Sequence, residues 1–108
     1  MGRSRSWGWK SIMLIDKGVT EGEVVTMKLV TGEELIGKLD EDGPLYYKIS
    51  KPMVLTASNQ GLGMAPFLFT VNPDKPVRIY KSTVMVIEAT DKMFSDNYIQ
   101  GTTGIKLA

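Results

Sequence analysis

The chain of 108 residues contains neither cysteine nor histidine. Without cysteine it can form no disulfide bond, no thiolate metal site and no cysteine nucleophile. Without histidine it lacks the usual general base near neutral pH and the commonest metal ligand. We therefore expect a protein that is not an enzyme and that holds no metal ion and no cofactor. The absence of disulfides also suits a reducing compartment, which predicts a cytoplasmic protein.

The sequence also has no long apolar run and no strong excess of one charge. No segment approaches the roughly 18 apolar residues that a membrane-crossing helix needs, so we expect no membrane partner. Hydrophobic residues make up 43% of the chain and charged residues 23%, as in a single globular domain. Residues 13–108 carry ten basic and twelve acidic side chains, a net charge of −2. A body with this charge offers little long-range attraction to nucleic acid.

The side chains left for catalysis are carboxylates, and the densest group is Asp40, Glu41 and Asp42. Consecutive side chains alternate across a strand, so these three cannot converge on one point. Glu33 and Glu34 are adjacent in the same way. These acids are typical of a solvated turn, or at most of a weak cation site, and we predict no catalytic residue.

Apolar residues alternate along several short segments that glycine and proline separate. Between residues 23 and 30, Val25, Met27 and Leu29 share one face, which is the pattern of a half-buried strand. Gly32 permits a tight turn because glycine readily adopts a positive φ. Further strands are expected over residues 34–41, 45–56, 67–72, 77–80 and 83–89, with a loop over 59–63 and a kink at 81–82.

Short strands with glycine and proline turns predict a small, mainly β barrel rather than a parallel α/β fold. We expect an N-terminal arm over residues 1–22, the barrel over 23–89 and a C-terminal helix or tail over 90–108. Thr90 is expected to cap a helix over 91–100 that Gly101 ends. The residues expected in the core are Val25, Met27, Leu29, Leu35, Leu39, Ile49, Val54, Val84 and Ile87.

Residues 25–39, VTMKLVTGEELIGKL, combine alternating apolar residues with two spaced glycines, Gly32 and Gly37. This pattern resembles the first Sm motif of Sm-like (LSm) proteins, and residues 79–87, IYKSTVMVI, resemble the second. The resemblance covers residues 23–89 and implies a five-stranded, strongly bent antiparallel barrel. Gly37 would then lie at a bend where any side chain would clash. A hairpin in another small barrel, such as an oligonucleotide-binding fold, is the alternative.

In Sm-like proteins the first motif also binds RNA, through an Asp followed four residues later by an Asn that contacts a base. A gapless count places Gly43 at the Asp position, and a shift by one residue places Asp42 there. The same shift puts Pro44 at the usual base-stacking position and Tyr46 in place of the Asn. The resemblance therefore makes Asp42 and Tyr46 candidate nucleic-acid-binding residues, but it does not preserve the family's pocket.

The second Sm motif has Arg-Gly at its centre, where this chain has Tyr80 and Lys81, followed by Ser82. Bases could stack on Tyr80 or Tyr46, each stack being worth about 1–3 kcal/mol, while Lys81 meets phosphates. We expect such binding to RNA or single-stranded nucleic acid to be weak and to show little sequence preference. Half-buried strand packing is the alternative role for both tyrosines, and a solvated turn is the alternative for Lys81.

The resemblance further implies a homo-oligomeric ring, in which the fourth strand of one subunit pairs with the fifth strand of the next. Such pairing removes exposed sheet edges. The alternative is an oligomeric scaffold for protein assembly without nucleic acid, which the acidic body and the altered pocket favour. The tail over residues 93–107 would then dock a protein partner. The residues expected at the subunit interface are Val77, Ile79, Val84 and Val86.

Overall fold

A computed structural model describes the backbone of residues 18–104 and the side chains of residues 18–102. Most of the expected N-terminal arm, and residues 105–108 of the expected tail, lie outside the described residues. A short 3₁₀ helix over Lys81–Thr83 and an α-helix, α1, over Lys92–Gly104 accompany the strands. The strands are β1 Val24–Leu29, β2 Glu34–Asp42, β3 Tyr46–Ser58, β4 Gly61–Pro66, β5 Val77–Tyr80 and β6 Val84–Ala89.

The six strands form one antiparallel sheet in the order β4–β3–β2–β1–β6. The fifth strand, β5, lies off this path and pairs with residues 46–49 of β3, whereas β4 pairs with residues 53–58. Among the described residues no pairing joins β5 to β6, so the sheet is not closed into a barrel. The expectation of a mainly β fold with a short C-terminal helix is confirmed, with six strands instead of five.

The hydrophobic core lies on one side of this sheet, where alternate side chains of the strands meet. Full burial of a large aliphatic side chain stabilises the fold by about 1.5–3 kcal/mol, so this cluster supplies much of the stability. The buried members are Val25, Met27, Leu29, Leu35, Leu39, Ile49 and Ile79. Three further residues expected in the core, Val54, Val84 and Ile87, are only partly buried and pack against it.

A bend in β3 lies opposite Gly37 of β2. The register between the two strands shifts here, because two residues of β3, Lys51 and Pro52, lie opposite the single residue Gly37. Lys51 has a φ of 48°, which a non-glycine residue rarely adopts. A Cβ atom on Gly37 would overlap the Ile49 side chain and lie 3.2 Å from the carbonyl oxygen of Ser50. Gly37 therefore permits the close approach of two backbones at the bend.

Two sequence predictions are wrong in the segment after β3. Residues 59–63 were expected to be a loop, but Gly61 has a φ of 109° and begins a strand that pairs with β3. Residues 67–72 were expected to be a strand, but they lie in a loop where Phe69 is 79% exposed. The amide of Asp74 donates a hydrogen bond to the Asn72 side chain in this loop. The apolar spacing over residues 67–72 therefore does not reflect a strand, although Phe67 packs against the core and its amide bonds the carbonyl oxygen of Pro52.

The C-terminal helix begins after Asp91, whose carboxylate accepts a hydrogen bond from the amide of Met93 at 3.3 Å. Asp91 therefore caps this helix, and the prediction of Thr90 as the cap is wrong. The Thr90 hydroxyl instead bonds the hydroxyl of Thr26 on β1 at 2.8 Å. The helix also continues past Gly101 to residue 104, further than expected. No helix in the described part of the chain has the length and apolar character needed to cross a membrane.

The helix is attached to the sheet through Tyr98, which is only 3% exposed. Its hydroxyl lies 2.9 Å from the carbonyl oxygens of both Ser50 and Lys51, at the bend of β3. Burial raises the pKa of Tyr98 to about 12, and the negative charge of Asp40 adds to the shift. The hydroxyl therefore stays protonated and can act as a donor across the physiological range. The helix thus contacts the sheet where β3 changes direction.

We expect Gly37→Val to destabilise the fold, because the added side chain would collide with Ile49 and crowd the backbone of β3. An overpacking cost of about 3 kcal/mol is expected. This corresponds to a fall in the thermal midpoint of roughly 12 °C or more. Gly63→Val is the matched control, since a Cβ atom there makes only an ordinary contact with Thr56. Equal melting midpoints for the two variants would contradict the assignment of Gly37 to a tight bend.

Candidate nucleic-acid interface

The pairing of β3 with β5 creates a face of four polar and aromatic side chains. Tyr46 lies directly opposite Tyr80, and Lys48 lies directly opposite Arg78. Side chains alternate along a strand, so these four project to the side away from core-facing Ile49. We call Tyr46, Lys48, Arg78 and Tyr80 the outer face. It brings two tyrosines and two cations into direct cross-strand contact.

The two tyrosines of the outer face pack edge to face. Their ring centroids are 5.7 Å apart and the ring planes are inclined at 80°. The guanidinium carbon of Arg78 lies 5.8 Å from the centroid of the Tyr46 ring, which is a cation–π distance. Tyr80 remains 52% exposed. The face therefore presents accessible aromatic surface beside an immobilised positive charge.

Lys81 and Asp42 form a separate pair. The Lys81 ammonium donates a hydrogen bond of 2.6 Å to the Asp42 carboxylate and lies 4.7 Å from the centroid of the Tyr47 ring. The hydrogen bond to Asp42 raises the pKa of Lys81. Because Tyr47 alternates with Tyr46, this lysine belongs to the core-facing side of β3. Its charge is offset by Asp42, and both side chains remain partly exposed to solvent.

A groove of about 680 Å³ adjoins the outer face. The strands contribute two cations and an aromatic ring to it, and the loop over residues 68–76 contributes a third cation and apolar side chains. Of the described residues that line it, none is acidic. The lining residues are Lys48, Leu68, Val71, Asn72, Lys75, Pro76, Val77, Arg78 and Tyr80.

The cations of the groove differ in their ion pairing. Lys48 lies 3.3 Å from the carboxylate of Glu41, and both side chains are well exposed to solvent. An exposed pair of this kind contributes little and is easily exchanged for another anion. Within the described part of the chain, Lys75 and Arg78 form no salt bridge. The groove therefore retains uncompensated positive charge although the body of the protein is acidic.

The sequence-predicted site residues thus fall into two groups. Tyr46 and Tyr80 meet on the outer face, whereas Asp42 and Lys81 meet beside Tyr47. Ser82 lies exposed in the 3₁₀ helix. Sequence reasoning did not select three cations of the groove. Spacing alone would have found Lys48 and Arg78, since each lies two residues from a selected tyrosine on the same strand. The third cation, Lys75, lies in a loop without a periodic signal.

The four residues expected at a subunit interface differ in how deeply their side chains are buried. The Ile79 side chain belongs to the chain's own buried core, so an interface through β5 would use its backbone edge. Val77 and Val84 are half-buried against the same core. Val86 is 47% exposed on β6 and is available for contacts with another chain.

No protein-family model matches this chain, and no curated protein sequence matches it. Residues 18–102 also contain no group of three or more acidic side chains arranged to hold a metal ion.

The Lys81–Asp42 pair can be tested by lysine acylation. We expect Asp42→Asn to increase the acylation rate of Lys81, because removal of the carboxylate lowers the pKa and raises the fraction of neutral amine. Asp96→Asn is the matched control, since it removes the partner of Lys92 on α1 and should activate only that lysine. Mass spectrometry of the labelled protein reads both sites at once. Unchanged labelling of Lys81 in Asp42→Asn would contradict the pairing.

Proposed function

We propose that this protein is an Sm-like module that forms a homo-oligomeric ring and binds RNA or single-stranded nucleic acid weakly, with little sequence preference. The observation that carries the binding proposal is the outer face, where Tyr46 and Tyr80 pack beside Arg78 and Lys48. Single-stranded nucleic acids are commonly bound by aromatic rings that stack on bases and by cations that track the backbone. The outer face supplies both elements within one pair of strands.

The chemistry of this face favours low selectivity. Every base has a flat aromatic surface, so stacking on Tyr80 would tolerate all four bases. The cations would contact phosphates, which carry no sequence information. Because few cations are available per subunit and the body of the chain is acidic, each copy would bind weakly. A ring would strengthen binding by presenting several copies of the face to one strand.

The Sm-like part of the proposal is supported by where the two motif-like segments lie. Residues 25–39 span β1, the turn at Gly32 and β2 beyond Gly37. Gly32 has a φ of 108°, as expected of a residue in a tight turn. Residues 79–87 run from the end of β5 through the 3₁₀ helix into β6. The bend at Gly37 and the return of β6 to pair with β1 both favour a strongly curved sheet.

The ring is supported by the edges of the sheet. Within the described residues β5 pairs only with β3, and β6 pairs only with β1. Each strand therefore has a second edge that is not paired in this part of the chain. An exposed edge of this kind promotes pairing with another chain, particularly where apolar residues flank it. Met85 and Val86 are both exposed on β6, which favours its use as an interface.

A second candidate function is a protein-assembly scaffold without nucleic acid. It is favoured by α1, on which Met93 is 65% exposed and Phe94 is also exposed. An amphipathic helix with exposed apolar side chains is a common docking element for a protein partner. The scaffold and the nucleic-acid proposals use different surfaces, so separate variants can distinguish them.

Binding can be measured by fluorescence anisotropy with labelled oligo-U and oligo-A across a salt series. We expect dissociation constants no tighter than about micromolar near physiological salt, and similar values for both sequences. Tyr80→Ala should weaken binding roughly ten-fold by removing a stacking surface. Tyr80→Phe is the control and should retain most of the affinity, because the ring is preserved.

Two outcomes would contradict the binding proposal. An absence of binding even at low salt would favour the scaffold function. Nanomolar, uridine-selective binding that persists at high salt would show that the site reads sequence, which the outer face does not explain.

Assembly can be measured by multi-angle light scattering on the purified protein. We expect a closed oligomer at micromolar concentration, and we expect Val86→Lys to dissociate it by placing a charge at the β6 edge. Leu62→Lys is the control, since it places the same charge on an exposed apolar position of β4. A monomeric wild-type protein would refute the ring, and dissociation by Leu62→Lys alone would assign the interface to β4.

A further inference from the structure

We propose that the groove beside the outer face is a nucleotide-binding subsite, which takes one phosphate group among Lys48, Lys75 and Arg78 and one base against its apolar side. The inference deepens the proposed function and depends on it only where the nucleotide is part of a nucleic-acid strand. It rests on the composition of the groove and its position beside Tyr80.

The groove has two chemically different sides. The strands and Lys75 supply three cations without an acidic neighbour in the lining, which selects a ligand with negative charge. The loop supplies Leu68, Val71 and Pro76, and the first two are exposed rather than packed into the core. Exposed apolar side chains beside Lys75 and Arg78, which form no salt bridge in the described part of the chain, match a ligand that is both anionic and apolar.

A nucleotide combines these properties within a suitable size. The groove volume of about 680 Å³ lies within the range of small-molecule sites. A smaller cleft of about 60 Å³ shares Leu68, Val71 and Lys75 with the groove and extends its apolar side beneath the loop. Arg78 is already held at 5.8 Å from the Tyr46 ring, so less freedom is lost when it binds a phosphate oxygen.

The groove is continuous with the proposed nucleic-acid surface. Tyr80 lines the groove and also packs against Tyr46, so a strand whose bases stack on these rings would pass the groove entrance. The next nucleotide of that strand could place its phosphate among the cations. The subsite would therefore bind either a free nucleotide or one residue of a strand, through the same contacts.

Isothermal titration calorimetry on the full chain tests the subsite with UMP, uridine and inorganic phosphate as separate probes. We expect UMP to bind more tightly than either fragment, because only UMP reaches both sides of the groove. Lys75→Gln should weaken UMP binding about five-fold through loss of a charged contact. Lys28→Gln is the matched control, since Lys28 is exposed on β1 and does not line the groove. Equal binding of UMP and inorganic phosphate, or equal effects of the two variants, would overturn the inference.

The salt dependence of oligo-U binding tests whether the subsite also binds a nucleotide that is part of a nucleic-acid strand. Because the subsite takes one phosphate group, the groove should contribute about −0.7 to the slope of log K against log salt. Lys75→Gln should then make the slope shallower, by at most about 0.7. Oligo-U binding that depends on Tyr80 but is unaffected by Lys75→Gln would refute the subsite and leave the proposed function intact. UMP binding that depends on Lys75, without any oligonucleotide binding, would uphold the subsite and refute the proposed function.

Discussion

The close approach of β2 and β3 at Gly37 is the constraint on which the rest of this fold depends. Because no side chain stands between the strands there, β3 can bend while it remains paired with β2 on both sides. One strand of 13 residues can then pair with β5 along its first part and with β4 along its last part. The pairing with β5 is what aligns Tyr46 with Tyr80. The candidate site is therefore a consequence of the bend, although Gly37 contributes no atom to it.

Local arrangement of charge matters more in this protein than its total. Residues 13–108 carry a net charge of −2, which by itself argues against an anionic ligand. Cross-strand pairing nevertheless places Lys48 beside Arg78, and the following loop adds Lys75 to the same groove. Lys81, the predicted phosphate ligand, is paired with Asp42 and does not line this groove. Net charge therefore does not show where on the surface the positive side chains gather.

The sequence predicted well those features that depend on short-range patterns. The alternation of Val25, Met27 and Leu29 placed β1 and its buried face correctly, because a period of two leaves few other structures. The crowding at Gly37 was expected from the resemblance to the first Sm motif. The strand over residues 61–66 was missed because two glycines and a proline are typical of loops. Its pairing comes from the neighbouring β3, which is a tertiary effect that local propensity does not contain.

The candidate site was recovered only in part for a similar reason. Tyr46 and Tyr80 were selected through a family resemblance, and their contact was not predictable without the register of β3 and β5. Once the register is known, alternation identifies Lys48 and Arg78 as members of the same face. Lys75 reaches the groove from a loop whose path no periodic pattern describes. Residues on strands were therefore accessible to sequence reasoning in principle, and the loop residue was not.

The hydroxyl of Tyr98 links the position of the C-terminal helix to the bend of β3. It bonds two successive carbonyl groups, and those groups converge on one donor only while β3 is bent. Flattening of the strand would separate them and weaken the attachment of the helix, and by thermodynamic reciprocity detachment of the helix would favour a flatter strand. A partner that captures the helix would thus act on β3 at Ser50 and Lys51, on the same strand as Tyr46. The helix and the outer face, which belong to the two candidate functions, therefore share one strand.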